Sequence, residues 1–282
     1  MSLASLTPTE IRHATAAFAA ACHSDQLVYY EVALDESIST DQKRAALLSH
    51  SLLPPRRARV VASHAATRTV FEGTAPIDVS GDCAVVRRRS GVQPALTAGE
   101  YSLVEKLVRE HPPFVATLHE RGIDTRNVMV DTWCVGWSGP EDDPHRRLAW
   151  PVLYLQRGDP ASDTLYAQPL EGFAIRVDLW ATPPAVVSFE VDSDAPLPLP
   201  PHPNMRFPHG EAEERRPPLL PLRVSQPEGT GLSFDAANGR LTWQRWEATV
   251  SFNAREGAVM SALKYDGRPV AWRLSFAEMV VP

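Results

Sequence analysis

The sequence predicts an α+β fold made of two small helix-plus-antiparallel-sheet modules followed by a further β segment. Two observations carry this prediction. A helix-capping signal followed by short alternating strands occurs twice along the chain, and a proline-rich stretch then separates the second occurrence from a last run of alternating residues. A length of 282 residues suffices for about two domains, and a hydrophobic content of 44% supports cores of ordinary size.

The first module is predicted over residues 1–91. Thr7, Pro8 and Glu10 supply an N-cap, a first-turn proline and an acid at the third helical position, so a helix is expected up to Cys22. Its apolar face should contain Ile11, Ala14, Phe18 and Cys22. The rest of the module reads as an extended run at 27–34, a short helix from Asp41 that ends before Pro54, and strands at 58–63, 68–72 and 83–88.

The second module, residues 92–193, repeats this order. Residues 96–100 cap a helix that runs to about Glu110, and its predicted apolar face contains Tyr101, Val104, Leu107 and Val108. Similar phrases at 71–73 and 170–172 suggest a duplication. A second helix up to Gly122 and strands at 128–137, 147–156, 172–179 and 185–190 complete the module.

Residues 194–221 are rich in proline and are predicted to form an extended linker, because proline cannot donate a backbone hydrogen bond. Beyond it, residues 222–282 contain predicted strands at 242–246, 248–253, 259–265 and 270–276, with a turn at Asp266-Gly267. A sheet of three or four strands with apolar faces needs a covering layer, and none is predicted within this segment.

Charge, cysteine spacing and the lack of a long apolar run argue against several kinds of partner, site and location. A net charge of −6 gives no reason to expect nucleic acid or an anionic membrane as partner, and Arg87–Arg89 reads as a solvated strand end. Cys22, Cys83 and Cys134 are too far apart for a metal or redox motif, so buried free thiols are expected. Without a signal peptide or an apolar run of about 18 residues, an intracellular location, cytoplasmic or peroxisomal, is predicted.

No motif in the sequence completes a catalytic site. Gly136–Gly139 has the wrong spacing for a nucleophile elbow and reads as a turn, and Glu141–Asp143 reads as a solvated hairpin tip rather than a cation site. His202 and His209 lie seven residues apart in the linker, without the three or four fixed ligands that a metal site needs. On motifs alone, the activity is not readable.

The third segment nevertheless resembles a known family. Residues 226–229, 243–246, 252–257, 265–269 and 277–282 are similar, in that order, to the opening of the catalytic β-sandwich domain of copper amine oxidases. Residues 141–148 and 169–172 resemble the second small domain of that family, and the first module matches its other small domain more loosely. The resemblance implies two cystatin-like domains followed by the truncated start of the β-sandwich domain.

The resemblance implies oxidation of small primary amines to aldehydes, with release of ammonia and hydrogen peroxide, by copper and topaquinone. In the family, a His-x-His pair and a third histidine hold the copper, and the quinone forms from a tyrosine in an Asn-Tyr-Asp or Asn-Tyr-Glu context. This sequence contains neither pattern. It is therefore expected to bind no cofactor or metal and to be silent alone, as a truncated gene model, a fragment or a degenerate paralogue. Full-length members are typically homodimers.

The resemblance also implies that the small domains contribute to the substrate channel. Tyr101, Trp133 and Tyr166 match positions at its mouth, where aromatic rings would attract an alkylammonium group. Ordinary packing is an equally good interpretation of these three residues. A different function is also open: a non-catalytic interaction module, in which the cystatin-like sheets or an unpaired strand edge bind another chain.

Overall fold

The computed structural model describes residues 3–49, 54–64, 66–79, 83–136, 146–156, 166, 168–198, 219–253 and 255–276. The chain divides into two units: residues 1–90 together with 222–282, and residues 91–221. The first unit thus joins the predicted first module with the segment that follows the linker. Most of that linker, 199–218, lies outside the described residues, so its extended form stays a prediction.

The first unit begins with a helix packed on a four-stranded antiparallel sheet, as predicted. Thr7 forms a capping box with Glu10: the Thr7 N–H donates to the Glu10 carboxylate at 2.7 Å, and Thr7 Oγ1 accepts from the Glu10 N–H. Ala14 and Phe18 are fully buried against the sheet, whose order is β1-β2-β3-β4. The elements are α1 Pro8–Cys22, β1 Leu27–Leu34, α2 Thr40–Ser49, β2 Arg57–His64, β3 Val70–Pro76 and β4 Val85–Arg89.

The segment after the linker forms a sheet of five strands rather than the predicted three or four. The predicted strand at 242–246 is divided by a turn, because Gln244 adopts a left-handed conformation and Trp243 pairs with Trp246 across it. The turn at Asp266-Gly267 is confirmed, since both residues have positive φ and join paired strands. The strands are β9 Leu232–Asp235, β10 Arg240–Trp243, β11 Trp246–Asn253, β12 Gly257–Tyr265 and β13 Arg268–Ser275, antiparallel in the order β13-β12-β11-β10-β9.

This five-stranded sheet is held to the first module by polar contacts. The Phe252 N–H donates to Ser5 Oγ at 2.8 Å, and Ser5 Oγ donates to the Phe252 carbonyl at 3.0 Å. Arg273 contacts Glu36 at 3.2 Å, and α2 lies against β13. Residues far away in sequence thus supply a neighbour at the β13 edge, which the sequence did not predict, while the expectation of a missing layer over the apolar face stays a prediction.

The second unit again packs helices on a four-stranded antiparallel sheet, in the order β5-β6-β7-β8. Thr97 and Glu100 form the capping box at the start of its first helix, as predicted. Val104 and Val108 are fully buried, whereas Tyr101, predicted on the same apolar face, is 45% exposed. The elements are α3 Ala98–Arg109, α4 Pro112–Glu120, β5 Val128–Cys134, β6 Leu148–Leu155, β7 Phe173–Asp178 and β8 Ala185–Val191.

The two four-stranded sheets share a topology, but the similar phrases do not occupy equivalent places. Residues 71–73 lie within β3, whereas residues 170–172 precede β7. A Cβ atom on Gly73 would clash with the Val85 carbonyl oxygen of the neighbouring strand, whereas Gly172 combines a φ of +83° with a close approach to the Asp192 carbonyl oxygen. The helices also differ in order, since α2 follows β1 while α3 and α4 both precede β5. The phrases therefore do not support a duplication.

Two further expectations are settled by exposure. Arg87–Arg89 at the end of β4 are exposed, which confirms the solvated strand end. Cys83 and Cys134 are exposed rather than buried, because they lie at strand ends beyond the core, and Cys22 is half-buried. Among the helices of the described ranges, none has the length and apolar character that spanning a bilayer requires.

Candidate functional site

The predicted channel residue Trp133 lies on the outer face of the second unit's sheet. Residues alternate along β5, so that Val130 and Thr132 point into the core while Trp133 points away from the helices. Trp133 pairs directly with Trp150 of β6, and the two indoles are 58% and 52% exposed. Tryptophan pairs this exposed are unusual on a sheet face, which makes this face a candidate contact surface.

Tyr166, the second predicted channel residue, lies on the same face. Its ring contacts Tyr154 of β6 edge-on, with the centroids 5.0 Å apart and the planes at 76°. Burial, then the negative charge of Asp131, then Tyr166 raise the pKa of Tyr154 above its ordinary value. Tyr154 therefore stays protonated at neutral pH. We call Asp131, Trp133, Trp150, Tyr154 and Tyr166 the outer aromatic face.

Asp131 is the carboxylate of the outer aromatic face. Its Oδ2 accepts a hydrogen bond from Trp133 Nε1 at 3.1 Å, which orients the indole along β5. Ring faces and a carboxylate both attract a cation, whereas Arg176 of β7, exposed on the same side of the sheet, opposes one. The arrangement can therefore hold an ammonium group weakly near β5, and it offers no group placed for covalent chemistry.

Tyr101 does not join the other two predicted residues. It belongs to α3, which packs on the opposite face of the sheet through Val104 and Val108. The structure thus brings Trp133 and Tyr166 to one face and leaves Tyr101 in the helix layer. Sequence reasoning missed Trp150, Tyr154 and Asp131; their even spacing along the strands was visible, but the pairing that aligns them was not.

The described residues do not fit a copper site. No group of three or more histidine, cysteine or acidic side chains in the described part of the chain could hold a metal ion. His13 contacts the Ile77 carbonyl, His64 accepts from its own hairpin, and the His111 ring contacts Phe189, so these imidazoles lie in separate places. The predicted features at Trp137–Gly139, Glu141–Asp143, His202 and His209 lie outside the described residues.

Two family models match the sequence. The copper amine oxidase N3 domain matches residues 99–208, and the copper amine oxidase enzyme domain matches residues 235–282. The chain belongs to the copper amine oxidase family. The second unit thus contains the N3 domain of a copper amine oxidase, and strands β10 to β13 contain the start of the enzyme domain, which confirms the family predicted from the motifs at 226–282.

Curated relatives agree with this assignment. The peroxisomal copper-containing diamine oxidase 1 of Nicotiana tabacum is 36% identical over 249 residues, which are 82% of this chain and 31% of that protein. The primary amine oxidase of Arthrobacter sp. (strain P1) is 36% identical over 196 residues, 68% of this chain and 29% of that protein. The chain therefore spans only about a third of the length of the relatives that it matches.

Solved structures show the same fold. The crystal structure of a copper-containing benzylamine oxidase from Hansenula polymorpha matches 96% of this chain and 43% of that chain, with a TM-score of 0.73 and 21% identity. The Pichia pastoris lysyl oxidase matches with a TM-score of 0.64 and 15% identity. The predicted α+β fold, two helix-plus-sheet modules and a further antiparallel sheet, is confirmed.

Proposed function

We propose that this chain supplies the N-terminal domains of a copper- and topaquinone-dependent primary amine oxidase and does not oxidise amines by itself. The family reaction converts a primary amine, O2 and water into an aldehyde, ammonia and hydrogen peroxide. The observation that carries the proposal is that the enzyme-domain match covers only residues 235–282, while the sequence lacks the His-x-His and Asn-Tyr patterns. A reaction without its electrophile, metal and base loses several kcal/mol of barrier lowering at each.

A peroxide-coupled assay on the purified chain with added copper tests this proposal. Benzylamine, methylamine and putrescine serve as primary amine probes, and an active copper amine oxidase serves as the positive control. We expect no amine-dependent peroxide and no quinone absorption band. Turnover that requires both copper and amine would show that the chain is a complete enzyme.

In the longer enzyme, we propose that Trp133 and Tyr166 form part of the wall along which the amine approaches. Asp131, which accepts a hydrogen bond from Trp133, adds a negative charge beside that ring, and a cation beside an exposed ring gains about 0.5–1 kcal/mol. Tyr101 stays a predicted channel residue on the helix layer, with an independent role. The test is the KM for benzylamine in an active oxidase that contains these domains. Trp133→Ala should raise KM a few-fold with kcat unchanged, and an unchanged KM would remove Trp133 from the wall.

Location and assembly belong to the same proposal. Two relatives, from Nicotiana tabacum and Pichia angusta, are named as peroxisomal. We therefore propose an intracellular location, cytoplasmic or peroxisomal, for this chain, and homodimerisation for the longer enzyme. Microscopy of a tagged chain tests the location, where secretion would contradict it, and the mass of the active enzyme by light scattering tests the dimer.

A second function is favoured by the face of the five-stranded sheet. A concavity of about 310 Å³ on this face is lined entirely by apolar residues, a surface that needs a partner. The lining residues are Leu232, Leu241, Trp243, Trp246, Ala248, Met260, Leu263 and Leu274. In a non-catalytic module, another chain would cover it. The transcript downstream of the Pro282 codon separates the two functions: an open frame that encodes His-x-His and Asn-Tyr-Asp/Glu supports the oxidase, and an in-frame stop supports the module.

A further inference from the structure

The strand β4, Val85–Arg89, lies at one edge of the first four-stranded sheet. It pairs with β3, which is its only strand neighbour in the part of the chain that the structure describes. Within the described ranges, the backbone of these five residues forms no hydrogen bonds to any other backbone segment. The outer edge of β4 therefore presents N–H and C=O groups to which a further strand can be added.

The two faces of β4 differ in their chemistry. Val86 packs against the core of the first unit. Because side chains alternate along a strand, Arg87 and Arg89 project from the opposite, outer face of the sheet. Both are exposed, and 51% of the Arg89 side chain is accessible. Both guanidiniums are therefore open to a segment that lies beside β4.

The outer face at this edge carries more positive charge than its carboxylates neutralise. Glu72 of β3 contacts Arg59 at 3.2 Å through one oxygen and Arg89 at 3.5 Å through the other. Arg87 lies directly opposite Glu72 in the register, but it forms no ion pair within the described residues. The nearest other carboxylate, Glu31, approaches Arg59 only at 4.0 Å. The β4 edge thus keeps an excess of positive charge, although the whole chain has a net charge of −6.

This charge identifies the kind of strand that can pair with β4. An antiparallel pair of β4 strands centred on Arg87 would place two copies of that arginine opposite each other, and like charges in that position destabilise a strand pair. The arginines therefore disfavour self-association through this edge. Carboxylates at the same positions would form ion pairs, which arginine makes in a planar two-point geometry. Apolar residues beside Val86 would extend the core, so acidic and apolar residues should alternate in the partner.

We propose that β4 accepts an extended acidic segment of another protein as a fifth strand of this sheet. Alternating glutamate or aspartate side chains of that segment pair with Arg87 and Arg89, and its apolar side chains lie beside Val86. The inference goes beyond the proposed function, because it uses only the first four-stranded sheet and requires no amine oxidation. The two arginines are solvated in the free chain and become ion-paired in the complex.

A capped, fluorescein-labelled peptide of the sequence Thr-Glu-Val-Glu-Val-Glu-Thr tests the proposal on the full chain. Fluorescence anisotropy measures its affinity, and hydrogen exchange of β4 shows where it binds. One control peptide has lysine in place of each glutamate. In a second control peptide the three central residues are N-methylated, which keeps the charge but prevents strand pairing.

Two double variants of the chain complete the experiment. Arg87→Gln/Arg89→Gln removes the two charges of the outer face. Arg44→Gln/Arg126→Gln is the matched control, because it removes two exposed charges that lie on other elements. Circular dichroism verifies that both variants fold.

We expect the acidic peptide to bind and to slow hydrogen exchange in β4, whereas neither control peptide should bind. Arg87→Gln/Arg89→Gln should weaken the binding about tenfold, since each pair of opposite charges across two strands contributes about two- to fivefold. Arg44→Gln/Arg126→Gln should leave the affinity unchanged. Equal binding of either control peptide, equal weakening by the two double variants, or no binding of the acidic peptide would overturn the proposal.

Discussion

Replacement of Arg147 by methionine should destabilise the second unit more than a typical point mutation does. Arg147 is the largest fully buried side chain of the described residues, with 1% of its surface exposed. Its Nε and Nη2 donate to the two oxygens of Glu100 at 2.6 and 2.9 Å. Nη1 and Nη2 also donate to the carbonyls of Pro94 and Ala95 at 2.8 and 2.9 Å. One guanidinium thereby ties the start of α3 to the residue before β6.

The magnitude follows from what the substitution leaves behind. Methionine fills much of the volume, but it leaves the Glu100 carboxylate unpaired and two carbonyls unsatisfied. Loss of one partner of a buried pair costs about 3–5 kcal/mol, largely because the remaining charge has no counter-ion. A second change, Glu100→Gln, removes that charge and preserves the capping box with Thr97, since glutamine serves at the third helical position. The double variant should recover about 1–3 kcal/mol of the loss.

Hydrogen exchange of α3 and β6 peptides measures this effect, because the chain has two units and one global free energy of unfolding does not describe both. The fluorescence of Trp180, whose ring centroid lies 6.0 Å from Arg147 Cζ, gives a second probe. Arg126→Met is the control, since that exposed pair with Asp124 should contribute nothing measurable. If Arg147→Met/Glu100→Gln is less stable than Arg147→Met alone, the explanation by an unpaired charge is refuted.

Three further predictions concern the five-stranded sheet, the core of the second unit and the core of the first unit. Arg273→Met should lower the free energy of unfolding by about 2 kcal/mol, because Arg273 Nη1 donates to Glu256 at 2.9 Å. The hydrogen bonds from Arg273 lower the pKa of Glu256 to about 2, although burial acts in the opposite direction. That stabilisation is complete above pH 4.5 and is lost as the pH falls towards about 2. The free energies of unfolding of the wild-type chain and the variant, measured by urea titration, should therefore become equal at acid pH, and a difference that stays constant with pH would contradict this. Burial lowers the pKa of His111, so the stability that depends on a neutral His111 is fully present above pH 6.5 and is lost as the pH falls. His111→Phe should therefore reduce the dependence of the melting temperature on pH below 6.5, and an unchanged slope would exclude His111 as the cause. Phe18→Ala should cost about 3–5 kcal/mol in chemical denaturation, whereas exposed Leu48→Ala should stay within about 0.5 kcal/mol; similar losses would mean that α1 does not form the core.

Local signals in the sequence predicted most of the elements. Both capping boxes, at Thr7 and Thr97, specify their helix starts through contacts within four residues. The turn at Asp266-Gly267 needs only two residues that tolerate positive φ. Strand β9 was missed because it is short and fully exposed, and its place depends on pairing with β10. The division of residues into domains at 91, 193 and 221 stays a prediction, although residues 1–90 and 222–282 lie in one unit.

The candidate site was less predictable than the fold because it depends on register. Trp133 and Trp150 lie 17 positions apart, and only the pairing of β5 with β6 places their indoles side by side. A shift of one residue would turn Trp150 into the core and bring Ala149 or Pro151 outward. Tyr101 shows the opposite case: helical periodicity placed it with Val104 and Val108, but the helix presents only a narrow stripe to the sheet, and Tyr101 lies at its margin.

The same dependence on distant partners explains how the enzyme-domain segment holds together. Its strands pair as local hairpins, but α2 and Glu36 contact its β13 edge and Ser5 contacts Phe252 of β11, all more than 200 residues earlier in the sequence. Its opposite, apolar surface has no such neighbour in the described residues. In an antiparallel sheet with one solvated face, the apolar residues of the other face normally pack on a core. Here Leu241, Trp243 and Leu274 of the apolar face remain partly exposed. That face is therefore suited to contact with a further layer of structure, as two-layer packing of an apolar sheet face requires.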